Sequence, residues 1–206
     1  MGQIFFIHPE NPQQRLLTQA AEMIREGAVV VYPTDSCYAL GCHMGDKSAL
    51  ERIQRIKQFS KKHLYTLVCQ DLSNLGRYAQ VSNSAYRLLK SLTPGPYTFV
   101  LKATREVPRR LLHEKRKTIG LRVPDHPVLQ GLLRELGEPL MNTSLELPGQ
   151  DFPLNEEQEI QDLVGKQVDL ILYSDPCGLD LTTVVDLSED RPQLLRQGKG
   201  PIEDYL

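Results

Sequence analysis

Four polar clusters stand where apolar runs of this chain stop: Thr34-Asp35-Ser36, Lys57 with Lys61, Lys62 and His63, Thr118 with Arg122, and Asn142-Thr143-Ser144. Hydroxyls, an amide and cations drawn from several segments suit an anionic ligand, because Lys and Arg bind phosphate and carboxylate through charge-assisted hydrogen bonds. No nucleophile stands beside a base at a familiar spacing, since GxSxG, HExxH, a Walker A sequence and GxGxxG after a strand are all missing from the sequence. A nucleotide bound here is therefore not cradled by the usual glycine loop. Each cluster also has a plain reading: Thr34-Asp35-Ser36 are ordinary turn formers, and Lys57 at a helix end complements the macrodipole. Arg122 is different. A guanidinium inside an apolar run needs a ligand or a structural partner, because burying it unpaired is very costly.

The elements that must position these groups follow from periodicity. Val29-Val30-Val31-Tyr32 reads as a strand buried on both faces. Pro33 to Gly41 then reads as a polar turn at its carboxyl end, the place where open α/β sheets bind ligands. Before it, Ile4 to Ile7 is a first strand, and a helix starting at Asn11-Pro12 carries Leu16, Leu17, Ala20, Ala21 and Ile24 as far as Gly27. Asp46 caps a second helix through Leu50, Ile53 and Ile56 that places Lys57 near its end. Further strands are expected at 64–69, 97–101, 118–123, 140–144, 169–173, 181–187 and 194–196, with helices over 85–92 and 128–136 and one in the acidic stretch after Pro148. The alternation predicts one α/β domain over residues 1–206, an open mixed sheet of parallel and antiparallel strands with helices packed on it.

The net charge of −2 conceals a segregation. Eight Lys and Arg face only Glu106 and Glu114 between Lys102 and Arg122, whereas Lys166 is the one base among twelve acids from Leu145 to Asp190. The run holding Arg109, Arg110, Lys115, Arg116 and Lys117 reads as solvated surface, and it would also attract RNA phosphates. Without interleaved aromatics it is not a base-stacking segment. Cys37, Cys42, Cys69 and Cys177 form no CxxC pair and read as reduced thiols of a cytoplasmic protein. No apolar stretch is long enough to cross a bilayer, so no membrane partner is expected.

Taken in order, Pro33-Thr34-Asp35-Ser36 through Gly41, Lys57, Pro94-Gly95-Pro96-Tyr97-Thr98, Thr118 through Asp125, Thr143-Ser144, Thr182-Thr183-Val184-Val185-Asp186 and Leu195-Arg196 before Gly198 are similar to the YrdC-type threonylcarbamoyl-adenylate synthases, most closely their YciO branch. The resemblance covers nearly the whole chain. It implies an open twisted mixed sheet with a cationic concave face, and a reaction joining L-threonine, bicarbonate and ATP, with Mg²⁺, into threonylcarbamoyl-adenylate and pyrophosphate for tRNA modification. It implies that Thr34, Arg122 and Thr182 line the threonine pocket. It also implies that Lys57, Thr118, Ser144 and Arg196 hold ATP, with His63 and Asn142 alongside. Such a reaction works by positioning and charge neutralisation, which is consistent with the missing nucleophile motif.

Two departures bear on that expectation. The family has arginine two residues after the lysine and asparagine two residues after the serine, where this chain has Phe59 and Glu146. If both face the nucleotide, the pocket is two charges less positive than in the synthases, and one adverse charge near a polyphosphate costs on the order of a few kcal/mol. Several readings stay open. Lys61, Lys62 or His63 reaches the place vacated by arginine, or Glu146 binds Mg²⁺, and either leaves a weaker synthase. Alternatively Glu146 joins Lys57 in catalysis, as a base in related chemistry that includes removing a threonylcarbamoyl group from a nucleoside. Glu146 also reads simply as an exposed turn carboxylate. A reading of another class is a protein that docks double-stranded RNA or tRNA on its basic face.

Overall fold

The computed structural model describes residues 2–58 and 63–205. Phe59, Lys61 and Lys62, on which part of the sequence argument rests, lie outside the described residues. The buried run after Gly27 forms β2 (Val30–Tyr32), following β1 (Gln3–Phe6) and α1 (Gln14–Arg25). The next strand, β3 (Ala39–His43), occupies what reads in the sequence as the end of a polar turn. Its small residues carry little strand propensity, and tertiary pairing supplies what propensity does not. β3 is held antiparallel between β2 and β7 (Leu140–Ser144), and a Cβ at Gly41 would lie 2.6 Å from the Tyr32 ring.

Asp46 caps α2 (Lys47–Lys57) by accepting the Ala49 N–H, as its spacing predicts. The helix ends on Gln58 in the left-handed conformation at φ 51°, which is uncommon for a residue with a Cβ. β4 (Thr66–Val68) is shorter than the apolar run around it. The helix α3 (Leu72–Tyr78), capped by Asp71, has no counterpart in the sequence reading, because its seven residues are too few to display a period. After it come α4 (Asn83–Leu92), β5 (Tyr97–Lys102), β6 (Thr118–Arg122), α5 (Pro127–Leu136), β7, α6 (Glu157–Val164), β8 (Leu170–Tyr173), β9 (Thr183–Asp186) and β10 (Gln193–Arg196).

The ten strands form one sheet in the order β1-β8-β2-β3-β7-β4-β6-β5-β9-β10, mixing parallel and antiparallel pairs. Period-2 alternation sorts their side chains between two faces. On one face Val31, Leu40, Leu67, Phe99, Ile119, Leu121, Met141 and Ile171 pack with Ile53 of α2, Leu89 of α4 and Ile160 of α6. On the other, Val30, Tyr32, Ala39, Val68, Leu140, Leu170 and Leu172 pack under Leu17 and Ile24 of α1 and Leu129, Leu132 and Leu136 of α5. That second layer stops partway across. Where β7, β4, β6, β5 and β9 continue beyond it, the same face carries Asn142, Ser144, Thr66, Gly120, Arg122, Thr98 and Val184. The sheet is thus covered with apolar side chains on one half of this face and left polar on the other.

Candidate functional site

A cavity of about 240 Å³ lies on the uncovered half of the face. Thr66, Thr98, Arg122, Asn142 and Ser144 line it from the strands, Ser36 and Cys37 from the β2–β3 connection, Thr182 and Arg196 from the β9–β10 end, and His63 from the segment before β4. Of the residues expected to act, the structure therefore gathers Arg122, Thr182, His63, Asn142, Ser144 and Arg196 around one space. Thr34, Lys57, Thr118 and Glu146 do not line it.

Arg122 is the centre of its charge. The side chain is buried and its Nη2 pairs with Asp35 Oδ1, while Ser36 Oγ lies 3.4 Å away. The other Asp35 oxygen accepts the Asp125 N–H at 2.8 Å, and Lys199 Nζ donates to the Asp35 carbonyl at 2.5 Å. Asp35 is thus the partner that a buried guanidinium demands, and it sits in the cluster that the sequence marks out. Arg122 Nε remains without a hydrogen-bond partner among the described residues. An orphaned buried donor costs roughly 1–3 kcal/mol, more when charged, and an anionic ligand in this space would relieve it.

Thr34 lies in the β2–β3 connection, where its hydroxyl is engaged by the turn itself. Its Oγ1 accepts the N–H groups of Ser36 (3.1 Å) and Cys37 (3.3 Å) and donates to the Cys37 carbonyl at 2.7 Å, so the hydroxyl is taken up in folding the turn. Lys57 likewise works on the main chain. From the end of α2 it donates to the carbonyls of Ser144 (2.8 Å) and Glu146, tying the end of β7 to the helix. Burial lowers its pKa, opposed by the charges of Glu146 and Cys37. Glu146 stands within electrostatic reach of both Lys57 and Arg196.

Arg196 closes its fork on the Thr182 carbonyl, with Nε at 3.0 Å and Nη2 at 2.8 Å, and Thr182 Oγ1 bonds Thr98 Oγ1 at 2.9 Å. Asn142 Oδ1 accepts the Tyr32 hydroxyl at 2.8 Å. His63 meets the Tyr65 ring edge-on at 5.2 Å, and burial together with the Lys57 ammonium pushes its pKa down to about 4. Thr118 lies on the same face of β6, fully buried, with an Oγ1 that has no partner among the described residues.

The basic run is not a uniform phosphate-binding strip. Arg116 pairs with the buried Asp186 at 2.6 Å and with Ser188 Oγ, Arg110 donates to the carbonyls of Met44 and Gly45, and Lys117 donates to the Glu114 carbonyl at 2.6 Å. Exposed Arg109 and Lys115 carry no such hydrogen bond or ion pair among the described residues. The charges that look available in the sequence are partly used to fix the 103–117 connection, because main-chain carbonyls are ready acceptors for Arg and Lys.

Thr66 is absent from the sequence reading, and Thr98 stands there only inside the Pro94–Thr98 motif with no role of its own; each is a hydroxyl on a strand whose alternate residues are apolar. That alternation is the signal that could have found them. Lys199, beyond the last strand, carried no local signal.

A buried arginine on the polar half of a half-covered mixed sheet defines an open-sheet α/β protein with a polar cavity on one sheet face. The chain belongs to the Sua5/YciO/YrdC family, whose model, described as "Telomere recombination", matches residues 22–198. It is 56% identical to the uncharacterised protein YciO of Escherichia coli K12 over 206 residues, all of both chains, and it superposes on the crystal structure of E. coli YciO with a TM-score of 0.97. It is 36% identical to the threonylcarbamoyl-AMP synthase of Vibrio vulnificus over 162 residues, 77% of this chain and 86% of that one. P. abyssi Sua5, solved in complex with L-threonine, matches with a TM-score of 0.89 at 27% identity, covering 98% of this chain and 59% of the other.

Proposed function

We propose that this cavity binds a threonylcarbamoyl group carried on adenosine or its 5′-phosphate, serving tRNA modification in the cytoplasm, and that it runs the ATP-driven synthesis of threonylcarbamoyl-AMP only weakly. The observation that carries the reading is Arg122: a buried guanidinium, held by Asp35, with an unpartnered Nε. A threonine carboxylate is the ligand chemistry that fits it, and the hydroxyls of Thr98, Thr182 and Ser144 border the same space. Relatives named threonylcarbamoyl-AMP synthase and a relative complexed with L-threonine support the assignment.

In the synthase direction an oxygen of N-carboxylated L-threonine attacks the α-phosphorus of ATP, the bond to the β-phosphate breaks, and pyrophosphate leaves. The protein's part is to position two anions and offset their charge. Mg²⁺ would enter with the ATP phosphates. It needs only one or two protein oxygens, for which the Ser144 hydroxyl at the cavity is a fitting donor, and no group of three metal-ligating side chains stands among the described residues.

The charge around the cavity favours a substrate with few negative charges over a triphosphate. Arg122 is already matched by Asp35, Arg196 is closed on a carbonyl under the field of Glu146, and Lys57 holds two carbonyls. The test is the paired replacement Phe59→Arg with Glu146→Asn. The expected result is a gain of about 100-fold in threonylcarbamoyl-AMP formation, equivalent to roughly 3 kcal/mol of barrier, with L-threonine binding lost in Arg122→Met. A rate unmoved by the pair, or threonine binding that survives Arg122→Met, overturns the reading.

A further inference from the structure

A second cavity, of about 340 Å³, opens at the carboxyl ends of β1 and β8, apart from the one described above. These neighbouring strands run parallel, Phe6 opposite Tyr173. After β1 the chain passes to α1 on the half-covered face, whereas the segment after β8 brings Cys177 against the core of the opposite face. Connections that leave adjacent parallel strands toward opposite faces open a crevice between them, and open α/β sheets bind ligands in such crevices.

Three features give this crevice a chemistry. Phe6 is 57% exposed and meets Tyr173 edge to face at 6.2 Å, leaving an aromatic surface in water. Ser174, 94% buried by its 6% exposure, lines the cavity with an Oγ that has no hydrogen-bond partner among the described residues. The lining holds Asp175 and His8 but no lysine or arginine. Its walls are also preorganised. Gln13 accepts the His8 N–H at 3.1 Å, and His8 Nδ1 accepts the N–H groups of Glu10 (3.2 Å) and Asn11 (3.1 Å), which puts the ring proton on Nε2. On the opposite wall the Tyr38 hydroxyl accepts the Ser174 N–H at 3.0 Å and donates to the Asp175 carbonyl at 3.1 Å.

The geometry points to a second binding site that takes an amino-substituted heteroaromatic ring, an adenine-type base, against Phe6 and Tyr173. The ring face supplies apolar and stacking contact, as an aromatic platform does for a base. A change of rotamer would turn the buried Ser174 hydroxyl to a ring nitrogen, and the Asp175 carboxylate would accept from the exocyclic amine. With no cation in the lining, any phosphate on the ligand points to solvent. A volume at the lower end of the roughly 300–1,000 Å³ of small-ligand pockets has room for a base and its sugar. The site does not rest on the function proposed for the first cavity.

Titration of the full ¹⁵N-labelled chain with adenosine and, separately, with inosine tests it. Adenosine is expected to give saturable shifts at the amides of Phe6, Ile7, Ser174 and Asp175 that persist in Arg122→Met. Inosine, which offers a carbonyl where adenosine has the amine, is expected to bind at least tenfold more weakly. Phe6→Ala, at an exposed position, should weaken adenosine at least tenfold, and Ser174→Ala several-fold. A tetra-adenylate that binds tenfold tighter than adenosine identifies the source as a base within a strand, and equal affinity identifies the free nucleoside. Shifts confined to Ser36, Asn142 and Thr182, equal binding of inosine, or a Phe6→Ala affinity matching the parent overturns the proposal.

Discussion

The two halves of one sheet face are built from the same alternation and end in opposite surfaces. Across β8, β2 and β3 the inward positions are Leu170, Leu172, Val30, Tyr32 and Ala39, and α1 and α5 lie over them. Across β7, β4, β6 and β5 the equivalent positions turn to Asn142, Thr66, Gly120, Arg122 and Thr98, and the cavity opens there. Burying an apolar side chain contributes about 1.5–3 kcal/mol, so the covered half supplies stability. The open half forgoes that gain and keeps polar groups on a rigid floor, where a ligand can reach them. Tyr32 joins the two, its ring against Gly41 and its hydroxyl on Asn142.

If this division is real, the halves should respond differently to substitution. The largest expected effect is in the open half: Asp35→Ala leaves Arg122 buried without its carboxylate and should cost roughly 3–5 kcal/mol in urea unfolding. The double variant Asp35→Ala, Arg122→Met should recover most of that stability while binding no threonine. Leu132→Ala, on the buried face of α5 in the covered half, should cost roughly 2–5 kcal/mol yet leave ligand affinity within about twofold at temperatures well below melting. A matching loss of affinity would mean that the halves are not separable.

Gly120→Ala comes next. The new Cβ would meet Thr66 Oγ1 at 2.7 Å and the Tyr65 carbonyl at 3.1 Å, an overpacking expected to cost about 1–3 kcal/mol and to shift the cavity floor, read as lost stability together with weaker binding. The smallest effect is a pH dependence. His63 stays neutral in the fold down to about pH 4, because burial and the Lys57 ammonium disfavour its charge. The unfolded chain takes up that proton below about pH 6.5. Stability should therefore fall as pH drops from about 6.5 to 4, by no more than about 1 kcal/mol after solvent screening. Melting curves of the parent and His63→Gln should diverge in that window and coincide above pH 7.

Much of this architecture is legible along the chain because it is local. The helix at 47–57 announces itself through Asp46 and the Leu50-Ile53-Ile56 stripe, and β2 through a β-branched run between breakers. Arg122 stands out because charge in an apolar strand needs an explanation. β3 and α3 do not announce themselves: β3 is held by partners on both sides rather than by propensity, and α3 is too short to display a period. The main-chain contacts of Thr34 and Lys57 were not legible for a related reason. Residue type shows that a hydroxyl or an ammonium can bind a ligand, not that a main-chain carbonyl already occupies it.

By itself, then, the amino-acid order determined the class of fold, the family, and the polar residues from which a site could be drawn. Only the tertiary structure decided which of them share a space, because that depends on strand order and on where the α1–α5 layer ends. It set Asp35 on Arg122, Lys199 on Asp35 and Arg196 on Thr182, pairs separated by 14 to 164 residues that no local pattern connects. It also left one face of the sheet half uncovered, since two helices of 12 and 10 residues are too few to cover ten strands.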